Sequence, residues 1–275
     1  MKHFKKLSWP YVLWSFLLIV LPLILIVLYA VTESSNSLVN IRFTTNNFAK
    51  IFEPEYIKVF IKSFRLGIVA TAICFFVGYP LAYFISNADE DSQSLLILLI
   101  TIPMWINTLL RTYAWISLLA NEGLINSMLK YLGINPVTMM YTDFSVMIGL
   151  VCDLLPFMVI PIHTSLTKMD HSLVEAAADL GANKIKTFTN VIWKLSLPGV
   201  INGVTIVFLL SISTFVIPKL LGGAQYTLIG NLIEQEFISI GDWNFGSAIS
   251  LLLAFVIVIL MRIINKIDPD EKGGE

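Results

Sequence analysis

Few side chains here have the chemistry to hold a ligand, and their positions set them apart. Asp153 lies about nine residues into a long apolar run, roughly 13 Å deep at helical rise. An ionisable group at that depth normally faces a bundle interior or water. Asp153 is therefore expected either to contact a cationic solute or to act as a structural carboxylate bonded to a neighbouring helix. Trp105, Tyr113 and Trp115 lie along the preceding apolar run. Their faces suit an ammonium group, with ordinary packing or an interfacial belt as the alternative. Glu234, Glu236, Asp242 and Trp243 fall in one polar segment, 220–245, as an acidic vestibule or as a solvated loop. Arg111, near the end of its run, either snorkels to headgroups or pairs with an outer carboxylate.

Bond-making chemistry has little to work with. The sequence contains no G-x-x-x-x-G-K-[ST] to cradle nucleotide phosphates. It has no G-x-S-x-G, and His163 sits on a different run from Ser211, Ser213 and Thr214, so a hydrolase is not expected. Cys74 and Cys152 have no metal-ligand spacing and read as small buried hydrophobes. No metal site, bound cofactor or catalytic residue is expected. A formal net charge of −1 argues against an electrostatic partnership with nucleic acid.

The elements that must position these residues are mostly made for lipid. Of 275 residues, 56% are hydrophobic and 13% charged, about half the charge of a soluble domain. Apolar runs at 11–31, 61–85, 95–119, 144–166, 199–219 and 246–265 are each long enough to span a bilayer. The fold class is thus all-α, a polytopic membrane protein with six transmembrane helices. Pro10, Pro22, Pro80, Pro156 and Pro161 suggest local bends. Lys2, Lys5 and Lys6 precede the first run, which reads as a retained signal anchor with its amino terminus inside. On that side the count adds Lys168, Lys184, Lys186, Lys194, Arg262 and Lys266, against Arg42, Lys50, Lys58, Lys62, Arg65, Lys130 and Lys219 outside. Six spans then leave both termini cytoplasmic. The expected division is an anchor and outer loop (1–57), a transmembrane domain (58–266) and a tail (267–275).

One polar island, 168–198, interrupts the grease. Ser172 and Glu175 have capping-box spacing, and Leu173, Ala176, Ala177 and Leu180 recur at helical spacing on one small-residue face. Gly181 stands where a helix ends left-handed. Ile185, Phe188, Thr189 and Ile192 mark a second helix. The result is a helix-turn-helix knob whose alanines let another backbone come close.

This island resembles the EAA loop of the membrane subunits of type I ABC importers, with Glu175, Ala176, Ala177 and Gly181 matching the motif. The family's loop proline, thirteen residues after the glycine, is replaced here by Lys194, and the nearest Leu-Pro is Leu197-Pro198. The runs beginning at Phe76, Ile102, Leu154, Glu175 and Leu221 resemble the first permease of spermidine/putrescine importers. The resemblance implies a type I ABC importer permease fold and half of a translocation path for polyamines. It also implies a second homologous permease, two ATPase subunits that bind the ATP, and an extracytoplasmic polyamine-binding protein. Glu175, Ala176, Ala177 and Gly181 would dock on an ATPase, and Asp153 would contact a polyamine amine. A permease of the same class for another small solute, or an ion-coupled secondary transporter, is the alternative.

Overall fold

The computed structural model describes residues 9–33, 42–170, 172–223 and 226–265. Lys2, Lys5, Lys6, Lys266 and the tail 267–275 lie outside the described residues. The first span is built of α1 (Trp9–Ser15) and α2 (Leu21–Ala30), joined by a π-helical turn, Phe16–Val20, just ahead of Pro22. There follow α3 (Asn46–Ile51), α4 (Pro54–Ser86), α5 (Glu90–Trp105), α6 (Thr108–Leu119), α7 (Leu124–Tyr131) and α8 (Asp143–Thr167). The island contributes α9 (Ser172–Asp179) and α10 (Lys184–Thr187). A π turn, Phe188–Ile192, carries α10 into α11 (Trp193–Ser213). The chain closes with α12 (Val216–Leu221), α13 (Ile229–Glu234), a π turn at Gln235–Ile240 and α14 (Trp243–Asn265).

Among the described residues, five helices are long and apolar enough to cross a membrane, and six if one bent pair counts as a span. That pair is the third expected span. The run 95–119 is not one straight helix: the chain turns by 93° after Trp105. Pro103 has no amide to offer the preceding turn, Ile106 is extended (ψ 135°), and Asn107 starts a fresh helix by accepting the Leu109 amide at 2.8 Å. By contrast α4 continues through Pro80, and α8 through Pro156 and Pro161.

The chain divides into two compact units, 1–60 with 232–259, and 61–231 with 260–275. In the larger unit α4, α8 and α11 pack through glycines, the usual means of close approach in lipid. A Cβ on Gly199 of α11 would lie 2.5 Å from the Pro161 carbonyl oxygen and 2.8 Å from Ser165 Cβ of α8. Met158, fully buried, sits where Gly78 and Gly203 make room for it. A buried hydrogen bond of 2.9 Å joins Tyr79 Oη and Ser196 Oγ, tying α4 to α11. Cys74 is buried among these helices, but Cys152 is exposed on the next face, so only one of the two is a core residue.

In the smaller unit nearly every described apolar side chain from Leu13 to Tyr29 is exposed, as on a lipid-facing helix. Thr32 is the anchor of this unit. Its carbonyl accepts from Asn47 Nδ2 at 2.9 Å and from Asn244 Nδ2 at 2.8 Å, so α3 and the start of α14 are fixed to the same point.

Candidate functional site

Within the larger unit the island folds as a hairpin. α9 begins at Ser172, and the Ser172 amide donates to Asp170 Oδ1 at 2.9 Å. Asp170, two residues ahead of Ser172, thus satisfies one of the free amides at the helix start. At the other end Gly181 is left-handed (φ +77°), with Ala182 N–H donating to Ala177 O at 3.0 Å and Gly181 N–H to Ala178 O at 2.9 Å. Those two bonds define a glycine-terminated Schellman turn. A side chain at Gly181 would meet nothing within 4 Å, so glycine is needed here for the backbone angle and not for space.

What the hairpin presents is apolar. Leu180 is 89% exposed and Ile185 74% exposed, with Leu173 also outside, while Val174 alone points back to the core. Glu175, Ala176 and Gly181 are exposed and Ala177 is half-buried. The second arm is not an independent helix: it runs through the π turn into α11. Phe188 in that turn packs edge-on against Tyr79 (6.0 Å) and Tyr83 (5.8 Å) of α4, and Trp193 lies 5.3 Å from Tyr79. Edge-on and tilted ring contacts therefore join the second arm of the hairpin to α4 and α11.

Within the membrane-spanning part, Asp153 has a partner. Arg111 Nη2 of α6 forms an ion pair with Asp153 Oδ1 of α8, with both side chains mostly buried. Arg111 therefore does not snorkel; its carboxylate partner is the intramembrane Asp153. The pair fixes the second half of the broken span to α8. Trp105, at the break, is 86% exposed and Tyr113 56% exposed, whereas Trp115 packs against the core. The structure brings neither Trp105 nor Tyr113 to Asp153 through any hydrogen bond, ion pair or ring contact among the described residues. An acid inside a span calls for a nearby base, but the sequence reading offered Arg111 only headgroups or an outer carboxylate and missed this pairing.

In the smaller unit, two of the four outer residues converge. Gly241, left-handed at φ +79°, reverses the chain, and Gly246 lets the π turn approach α14, its would-be Cβ being 3.2 Å from Glu236 Cβ. Asp242 caps α14 through the Phe245 amide at 3.0 Å and faces Lys50 with its other oxygen at 3.8 Å. Glu236 is 3% exposed rather than part of a solvated loop, and burial pushes its carboxyl above the usual glutamate range, against the pull of Lys50. Trp243 packs on Phe237 and Tyr29 instead of reaching into this cluster. Sequence reading missed Lys50, whose Nζ lies 4.0 Å from the Phe245 ring centroid.

The described residues form a multi-pass helical architecture that carries one exposed, Gly-terminated hairpin. The chain belongs to the family described as the inner membrane component of binding-protein-dependent transport systems, whose profile matches residues 1–271. It is similar to the spermidine/putrescine transport system permease protein PotB of Salmonella typhimurium, at 38% identity over 253 residues, 91% of this chain and 88% of the relative. PotB of Escherichia coli K12 is 37% identical over 263 residues, 92% of this chain and 96% of the relative. The fold matches a chain of a bacterial alginate ABC transporter with a TM-score of 0.82 at 14% identity, covering 98% of this chain and 95% of that one. This chain is accordingly a permease subunit of an ABC importer, a multi-pass inner-membrane protein and not an enzyme. Family membership removes the secondary-transporter reading.

Proposed function

We propose that the chain carries polyamines of the spermidine/putrescine class as half of a translocation path. The other half is a second homologous permease. Two ATPase subunits bind the ATP and drive the cycle, and an extracytoplasmic polyamine-binding protein delivers the solute. Both termini and the hairpin lie in the cytoplasm, with residues 58–266 as the transmembrane domain. The observation that carries the coupling half of this reading is the exposed apolar hairpin ending at left-handed Gly181. Its Leu173, Leu180 and Ile185 need a groove to cover them, and an ATPase surface supplies it. Identity of 36–38% to PotB proteins over most of the chain supports the choice of solute.

In this scheme Glu175, Ala176, Ala177 and Gly181 form the docking face. Trp105 and Tyr113, on exposed surface, line the path opposite the second permease, and Glu234, Asp242 and Trp243 form its outer approach, with the Glu236 carboxyl buried. Asp153 acts through Arg111, holding the broken span in place. Uptake of labelled spermidine and putrescine in cells lacking this chain tests the proposal. Loss of uptake, restored by the gene, is expected; normal uptake of both solutes would overturn it. A same-class permease for a different solute is then the reading that remains.

A further inference from the structure

The cluster around Lys50 has the chemistry of an ammonium site. The Lys50 Nζ stands 4.0 Å from the Phe245 ring centroid and 6.0 Å from that of Tyr56, and the two rings meet edge-on at 4.8 Å. Aromatic faces set around a cation are the standard device for recognising alkylammonium groups. Two carboxylates flank the rings, Asp242 at 3.8 Å from Lys50 Nζ and buried Glu236, whose Cβ would lie 3.2 Å from a Cβ on Gly246, next to Phe245. Yet Lys50 uses these groups poorly. An ammonium has three N–H donors, and 3.8 Å is beyond hydrogen-bond length. Among the described residues the Lys50 ammonium makes no hydrogen bond, and the Glu236 carboxyl makes neither a hydrogen bond nor an ion pair.

The tether explains the misfit. Lys50 comes from α3, which Asn47 pins to the Ala30 and Thr32 carbonyls at 3.0 and 2.9 Å. Asp242 and Phe245 come from Gly241–Gly246, shaped by a left-handed turn and a close backbone approach, while Glu236 comes from the π turn before it and Tyr56 from the start of α4. From the α3 backbone Lys50 reaches Asp242 at 3.8 Å rather than at hydrogen-bond length. A free amine is under no such constraint. The Lys50 side chain is also 40% exposed and that of Asp242 29%, which leaves solvent access for exchange.

We infer that Phe245, Tyr56, Asp242 and Glu236 form a binding site for a primary alkylammonium ion, occupied in cis by Lys50 and open to a free amine when Lys50 leaves. The site goes beyond the transport reading, because it is defined by the cage and not by which solute crosses. Ethylammonium is therefore the probe, so that the result does not depend on whether polyamines are the cargo.

The full chain in lipid nanodiscs is compared as wild type, Lys50→Ala and Lys50→Ala with Asp242→Asn, asparagine being retained because it still caps α14. Ethylammonium chloride should raise the thermal midpoint of Lys50→Ala saturably, leave wild type nearly unmoved, and lose its effect in the double variant. An equal rise in wild type and Lys50→Ala, or the same rise with sodium chloride at matched ionic strength, overturns the site. A second arm needs no change at residue 50. In Asp242→Asn, acylation of Lys50 measured against exposed Lys58 should speed up by about two- to fivefold, the protection that one half-exposed ion pair provides. Unchanged labelling overturns the site as well.

Discussion

The Arg111–Asp153 pair is the contact on which the broken span depends. Removing Arg111 as Arg111→Met leaves a carboxylate in a mostly buried position with nothing to neutralise it. Breaking one side of a buried pair costs about 3–5 kcal/mol. Here the side chains keep 17% and 19% of their surface, which places the cost near the lower figure, about 3 kcal/mol. That is a shift of more than about a hundredfold in the unfolding equilibrium. Asp153→Leu alone should be similarly harmful, since it strands a guanidinium whose Nη1 is already buried without a hydrogen bond. The double variant, with a Met and a Leu packed between α6 and α8, should recover most of the loss, because well-packed apolar replacements of buried ion pairs are often neutral or better. The assay is equilibrium unfolding in lipid bicelles, analysed as a double-mutant cycle, with spermidine uptake measured on the same variants. Both stability and uptake should return together in the double variant. Additive losses in the cycle would refute the pairing as a source of stability. Stability restored without uptake would return Asp153 to the role of a direct solute contact.

Three further outcomes are expected. Gly181→Ala should destabilise the left-handed turn by about 1–2 kcal/mol without any steric clash, and ATPase assays paired with uptake should show hydrolysis no longer matched to transport; unchanged coupling would count against the hairpin. Gly199→Ala forces a methyl to 2.5 Å from the Pro161 carbonyl, a backbone atom that cannot swing aside, so a loss of about 1–3 kcal/mol is expected in thermal melts. Glu236 has a raised pKa, so the folded chain holds that proton more tightly than the unfolded one, and its contribution is present below the unfolded value and lost as pH rises through the folded value. Glu236→Gln should therefore gain stability over wild type at neutral pH and lose that advantage in acid, and a pH-independent difference would contradict the burial argument.

Much of this was legible in the sequence, and the rest failed for identifiable reasons. Apolar run length located the spans, because no other signal in a chain competes with about twenty consecutive greasy residues. The hairpin was legible because Gly181 and the small, spaced alanines obey local rules. The break after Trp105 was not. Pro80, Pro156 and Pro161 look as disruptive as Pro103 but lie inside continuous helices, and only Asn107, a competent cap four residues later, turns a proline into a corner. The bond from the Ser172 amide to Asp170 was not read from the sequence, where Ser172 and Glu175 drew the capping role by their spacing. The Lys50 cage was out of reach altogether. It joins α3 to a turn nearly two hundred residues later, and no periodicity in either segment announces the other.

The central claim is that the apolar tip of the 172–181 hairpin sits in the cytoplasm against an ATPase. Leu180→Cys, in a chain with Cys152 replaced by Ser and Cys74 left buried, reports on both parts. In intact cells a membrane-impermeant thiol reagent should leave position 180 unlabelled. In inverted membrane vesicles stripped of the ATPase it should react fully, and restoring the ATPase should shield it. Labelling from the outside of intact cells, or reactivity indifferent to the ATPase, would contradict the account.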